Sequence, residues 1–158
     1  MNGVPSELAG TMGLWVTATV ALIVAVVGRA RAHDPSRLPV PASVTLALHL
    51  AHCSEEYATG FFRQFPPLLG LMPWSAGFFL AFNAVWVLVW TLATLTVWRG
   101  RTPFLARWAL WFLALVSLLN LVAHPVLAVV AGGYFPGLLT SLPLGLAGGW
   151  LALRLAGR

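Results

Sequence analysis

The chain has 158 residues, of which 59% are hydrophobic and 8% charged. A soluble domain is roughly 45–50% apolar and 25% charged, so the composition excludes a disordered chain, a coiled coil and an ordinary soluble globule. The formal charge of +5 comes from nine arginines, with no lysine, against four acids; the arginines stand singly between apolar runs and read as membrane-topology signals, with no nucleic acid as partner.

An apolar run of about 20 residues spans a bilayer as a helix. The first run covers 8–28. Basic residues follow it instead of preceding it, which runs against a cleaved signal peptide. After a polar stretch comes a weaker run, 40–59, holding two histidines and two glutamates. Over 60–72 the Pro66-Pro67 pair and two glycines argue against a continuous helix and predict a loop or a re-entrant segment. The third run is 73–98. The fourth is 103–131 and opens on Pro103, a favoured first-turn residue. The fifth, 136–155, is glycine-rich; Gly145, Gly148 and Gly149 suit close helix packing. Trp15, Trp74, Trp98 and Trp108 lie near run ends, as an aromatic belt requires. The expected fold is all-α: a single polytopic membrane helix bundle over 1–158 with five transmembrane helices.

The arginines agree with five spans. Arg29, Arg31, Arg37, Arg99, Arg101, Arg107, Arg154 and Arg158 then fall on one side and Arg63 on the other. The positive-inside rule places the N-terminus outside and the C-terminus inside. A non-spanning second run would scatter the basic loops to both sides. Cys53 is the only cysteine, so no intrachain disulfide forms.

The acids are Glu7, Asp34, Glu55 and Glu56, and the last two sit inside an apolar run. A charged side chain at membrane depth costs about 2.5–3.5 kcal/mol on insertion scales, so a chain poor in acids places them there for a reason. At about 100° per residue, His49, His52, Glu55 and Glu56 share one helix face about 120° wide. His52 makes i,i+3 and i,i+4 pairs with the two glutamates. Imidazole and carboxylate on one face suit zinc, iron or manganese. The same groups suit metal-free acid–base chemistry, because adjacent carboxylates in a poor solvent do not both ionise readily. The plainer alternative is a cluster of His–Glu hydrogen bonds joining helices.

Other helices offer partners. Asn120 and His124 stand at i and i+4 on the fourth run, with Pro125 freeing a carbonyl one turn earlier. Asn83 lies on the third run. At a rise of about 1.5 Å per residue these groups fall in the central-to-outer half of the membrane, which allows one shared pocket. Cys53 reads as a small buried filler. Arg63 reads as a solvated residue, with pairing to Glu56 or to an anionic head group as alternatives.

The stretch His52-Cys53-Ser54-Glu55-Glu56 reads H-x-x-E-E. It resembles the motif of a bacterial family of small integral membrane proteins named HXXEE, and Tyr57, Gly60 and Phe61 after it are similar too. The size and the number of apolar runs extend the resemblance over most of the chain. The resemblance implies a bacterial plasma-membrane protein and singles out His52, Glu55 and Glu56. The family is functionally uncharacterised, so no reaction follows.

Together these features predict a membrane-embedded enzyme acting on a lipophilic small molecule. His52, Glu55 and Glu56 are the candidate catalytic residues. With metal, His52, Glu55, Glu56, His124 and His49 are the candidate ligands of a divalent ion serving hydrolysis or oxidation. Without metal, a glutamate would protonate a double bond. Asn83 and Asn120 are the candidate substrate-binding residues. The rival is a proton- or cation-coupled transporter or binding subunit using the same carboxylates; the short chain without an inverted repeat counts against it, although a homodimer would supply the repeat.

Overall fold

The structure is a computed structural model that describes residues 5–28 and 35–158. Arg29 and Arg31 of the charge argument lie outside them. The described residues form seven α-helices and no strand: α1 Ser6–Gly10, α2 Met12–Val27, α3 Pro39–Thr59, α4 Phe61–Leu68, α5 Ala76–Trp98, α6 Phe104–Ala131 and α7 Leu138–Leu155, with a 3-10 turn at Pro35–Arg37 before α3.

Two segments depart from the sequence expectation, each for a local reason. The first run is not one helix but α1 and α2, broken at Thr11. The Trp74 indole lies against the break: a Cβ on Gly10 would stand 2.3 Å from Trp74 Cζ2, and Trp74 Nε1 donates to the Ser6 carbonyl at 3.2 Å. The Thr11 hydroxyl donates to the Glu7 carbonyl at 2.7 Å and accepts from Trp15 Nε1 at 3.2 Å. Over 60–72, where a loop or re-entrant segment was expected, an eight-residue helix holds both prolines. Proline lacks the amide that would bond four residues back. The Phe62 carbonyl, which Pro66 leaves free, accepts instead from the Trp74 amide at 2.9 Å.

Three helices, α5, α6 and α7, are long and apolar enough to cross a membrane. α2 is a shorter apolar helix. α3 has 21 residues, about 31 Å of helix, but its histidines and glutamates make it less apolar. The outward faces of α5, α6 and α7 carry exposed aliphatics such as Leu88, Leu92, Val126, Val129 and Leu146, an arrangement lipid can solvate.

α6 is the central helix and packs against α2, α5 and α7. It meets α7 through small residues. A Cβ on Gly145 would stand 2.4 Å from Leu121 Cβ, and one on Gly148 would stand 2.9 Å from the Ala114 carbonyl. Glycine thus permits near-backbone contact, as membrane helices favour. On the other side, α2 offers buried Ala18, Ala21 and Ala25, and Trp108 Nε1 donates to the Ala18 carbonyl at 3.1 Å.

Trp98 Nε1 donates to Ser43 Oγ at 3.0 Å, so the end of α5 lies beside the start of α3. Arg37, Arg99 and Arg101 belong to this end. The end of α3, the start of α5 and the α6–α7 turn gather at the opposite end, where the polar residues of α3 are found.

Candidate functional site

The C-terminal half of α3 carries the H-x-x-E-E stretch, and its side chains divide between two partner helices. Glu55 reaches the start of α7. Its Oε1 accepts from the Leu139 amide at 3.1 Å and the Tyr134 hydroxyl at 2.6 Å. Its Oε2 accepts from the Thr140 amide at 2.9 Å and the Thr140 hydroxyl at 2.5 Å. Four donors on two oxygens match an acceptor-only carboxylate. The α7 N-terminus adds roughly half a unit of positive charge.

The Thr140 hydroxyl has one proton, and Glu55 takes it. Its oxygen must therefore accept from His52 Nδ1, 2.8 Å away. That places the His52 proton on Nδ1 and leaves a lone pair on Nε2. His124 follows the same logic: Nδ1 lies 2.7 Å from the Pro136 carbonyl, which only accepts. Its Nε2 is likewise a lone pair. The two rings meet nearly perpendicular, with centroids 4.6 Å apart.

Both lone pairs face Glu56. Its Oε1 lies 3.5 Å from His52 Nε2 and 3.4 Å from His124 Nε2, longer than an ordinary N–H···O hydrogen bond. His52 Nε2 is buried with no hydrogen-bond partner among the described residues. The three side chains are buried: His52 is 0%, His124 2% and Glu56 8% exposed. Three acceptors thus converge in an apolar interior with no proton donor between them, an arrangement that costs free energy unless a cation or a proton joins them.

His52, Glu56 and His124 are close enough to hold a metal ion: one ligand atom from each lies within 4.8 Å of the other two. Two ligands that each stand about 2.0–2.2 Å from a zinc ion lie no more than about 4.4 Å apart, and the two edges from Glu56 Oε1, 3.5 and 3.4 Å, fall inside that limit. The Nδ1 bonds supply the outer hydrogen bonds that metal-binding histidines generally make. Gly137 makes the convergence possible. It starts α7 at φ +86°, and a Cβ there would stand 2.5 Å from His124 Cε1 and 2.8 Å from His52 Cε1.

A cavity of about 170 Å³ adjoins the cluster, with Glu56 and His124 in its wall and aromatic rings around it. α1 to α6 line it; α7 does not, and instead backs His52 and Glu55. Asn83 and Asn120 both line the cavity. Asn83 accepts from the Cys53 thiol at 3.3 Å and donates to the Phe79 carbonyl at 2.9 Å. His49 also lines the cavity, edge to face with Trp90 at 4.6 Å between centroids.

Of the five ligand candidates, then, the structure brings together His52, Glu56 and His124. Glu55 is engaged by α7, and His49 lies a turn earlier on α3 with its ring 6.2 Å from that of His52. Arg63 is not paired with Glu56; its guanidinium lies 5.1 Å from the Phe62 ring centroid. Sequence reasoning missed Thr140, Tyr134, Gly137 and the Pro136 carbonyl. The one signal for them was a hydroxyl and a glycine at the start of the fifth run, a pattern common to many helix starts.

The fold and site define a class: a small all-α protein, apolar enough to cross a membrane, with a buried two-histidine, one-glutamate cluster. Residues 43–151 match the family described as protein of unknown function with HXXEE motif, and the chain belongs to that family. No curated protein and no solved structure matches the chain.

Proposed function

We propose that this protein is a membrane-embedded, metal-dependent enzyme acting on a lipophilic substrate, with His52, Glu56 and His124 as the ligands of a divalent ion. One observation carries the reading: both histidines hold their Nδ1 protons on oxygens and turn their Nε2 lone pairs onto Glu56 Oε1 beside a cavity. Two histidines and one glutamate form a known catalytic zinc set, and three protein ligands leave a position open, unlike the closed four-ligand structural sites. The ion would act there as a Lewis acid on an oxygen atom. Hydrolysis needs only water as co-reactant and is the reaction class we favour.

In this reading Glu55 is a positioning residue, because its oxygens are taken by α7 and Tyr134. Through Thr140 it sets the His52 tautomer. The reading places α2, α3, α5, α6 and α7 across the membrane, N-terminus outside, with the site toward the outer face. The arginine distribution and the 21-residue length of α3 support that orientation.

Elemental analysis of the purified full-length protein tests the proposal, wild type beside His52→Ala and Glu56→Gln. Near-stoichiometric zinc, iron or manganese in wild type, lost in both variants, is the expected result. No metal in wild type after loading with each ion would overturn it and leave Glu56 and the two histidines as a proton-transfer set.

A further inference from the structure

The cavity beside the cluster is ordered along its length. Glu56 and His49 both line it and lie two turns apart on α3, about 10 Å. Glu56 and His124 form one level of it, with Phe65, Trp74 and Phe78 lining it on the side of the α4–α5 connection. One turn inward are Asn83 and Asn120, and beyond them the rings of Trp86, Trp90 and Phe112. Asn83 is held by Cys53 and Phe79.

Asn120 differs. It stands one turn before His124 on a wall otherwise built of Val116, Leu119, Ala123 and Leu127, and its half-buried amide has no hydrogen bond among the described residues. An amide on an apolar wall gains from a partner in the cavity. The amide both donates and accepts, so it fits a hydroxyl or a carbonyl oxygen.

Size and charge narrow the occupant. An engineered apolar cavity of about 150 Å³ holds a benzene ring, and this cavity is slightly larger and elongated. Among the described residues, Glu56 is the only acid in its wall and no arginine lines it. With an ion on Glu56 no net negative charge remains for an organic cation. Rings around the hydrocarbon part favour π-bearing groups through edge and face contacts.

We propose that the cavity binds a neutral unsaturated or aromatic lipophile with one alcohol or carbonyl oxygen, that oxygen lying between Asn120 and the His52–Glu56–His124 cluster. This rests on the metal-centre reading of the cluster and names the substrate class for it.

The test uses full-length protein in detergent, loaded with zinc, with metal content measured in every sample. Binding is followed by tryptophan fluorescence, since Trp86 and Trp90 line the cavity. Three probes of similar size separate the possibilities: geraniol, an unsaturated alcohol; limonene, an unsaturated hydrocarbon; and benzyltrimethylammonium, an organic cation. Geraniol should bind at least tenfold tighter than either of the others. Asn120→Leu should abolish the preference over limonene with zinc content and thermal unfolding unchanged. Ala123→Phe, which narrows the cavity, should weaken geraniol and limonene together, and it serves as the second handle if the first variant does not fold. Equal affinity for geraniol and limonene, tighter binding of the cation, or a preference that survives Asn120→Leu would overturn the inference. Loss of geraniol selectivity with one equivalent of zinc bound removes the ligand class alone. Selectivity retained without zinc binding removes the metal centre alone.

Discussion

Glu55 and Glu56 are adjacent in sequence and serve different helices. Glu55 holds the first turn of α7 through two amides and the Thr140 hydroxyl, whereas Glu56 turns to His124 of α6, 3.4 Å from its Nε2. One peptide bond thus separates the group that fixes the scaffold from the group that faces the cavity. Their variants should behave differently. Glu55→Gln weakens charge-assisted bonds to α7, for a loss of about 1.5–3 kcal/mol of stability, and retains the metal. On the proposed metal-centre reading Glu56→Gln loses the metal, and its stability in metal-free buffer stays close to that of wild type. Thermal unfolding with metal analysis on the same samples checks both.

Thr140 transmits the Glu55 contact to His52. Thr140→Val removes the oxygen that accepts from His52 Nδ1 and frees the ring to take the other tautomer. Loss of such an outer hydrogen bond generally lowers metal affinity by about 10–100-fold. Thr140→Ser should restore most of it. Competition with a chromogenic chelator gives both values, and equal affinity in the valine and serine variants would refute the tautomer argument.

Gly137 is constrained twice, by its left-handed φ and by the two imidazoles against it. Gly137→Ala adds about 1–2 kcal/mol for the backbone and about 1–3 kcal/mol for overpacking. The variant should unfold well below wild type and lose its metal. Gly133→Ala, with open space around it, is the control and should behave as wild type.

Tyr134 lies outside the long helices. Burial, and next its hydrogen bond to Glu55, hold the phenol above its ordinary value. A folded-state value raised in this way contributes stability that is present below about pH 10 and is lost as pH rises through the folded-state value. Wild type should therefore unfold at a higher temperature than Tyr134→Phe at neutral pH, and the gap should close in alkali. A gap independent of pH would show that the hydroxyl is not bonded to Glu55.

The long helices were legible because a bilayer demands about 20 apolar residues in a row. α3, α5, α6 and α7 begin and end within three residues of the runs read from sequence. The break at Thr11 was not legible, since its cause is Trp74, dozens of residues away. The His52–Glu56 pair follows from helical spacing, and His124 stood out as the only other histidine in an apolar run. A helical wheel could not tell Glu55 from Glu56, because their separation depends on where α6 and α7 pack. Thr140, Tyr134 and Gly137 are uncharged, and their importance exists only through contacts made across the fold.

The contact between Glu55 and the start of α7 also orders the making of the protein. Thr140 follows Glu55 by 85 positions, so α3 is synthesised long before its counter-charge. In the proposed five-span arrangement, until α7 arrives α3 carries two carboxylates that no helix end shields, at a cost to membrane insertion. On that arrangement α3 is best seated late, drawn in as the α6–α7 hairpin enters. Nascent chains halted before residue 138 should hold α3 loosely, and chains halted beyond α7 should hold it as the finished protein does.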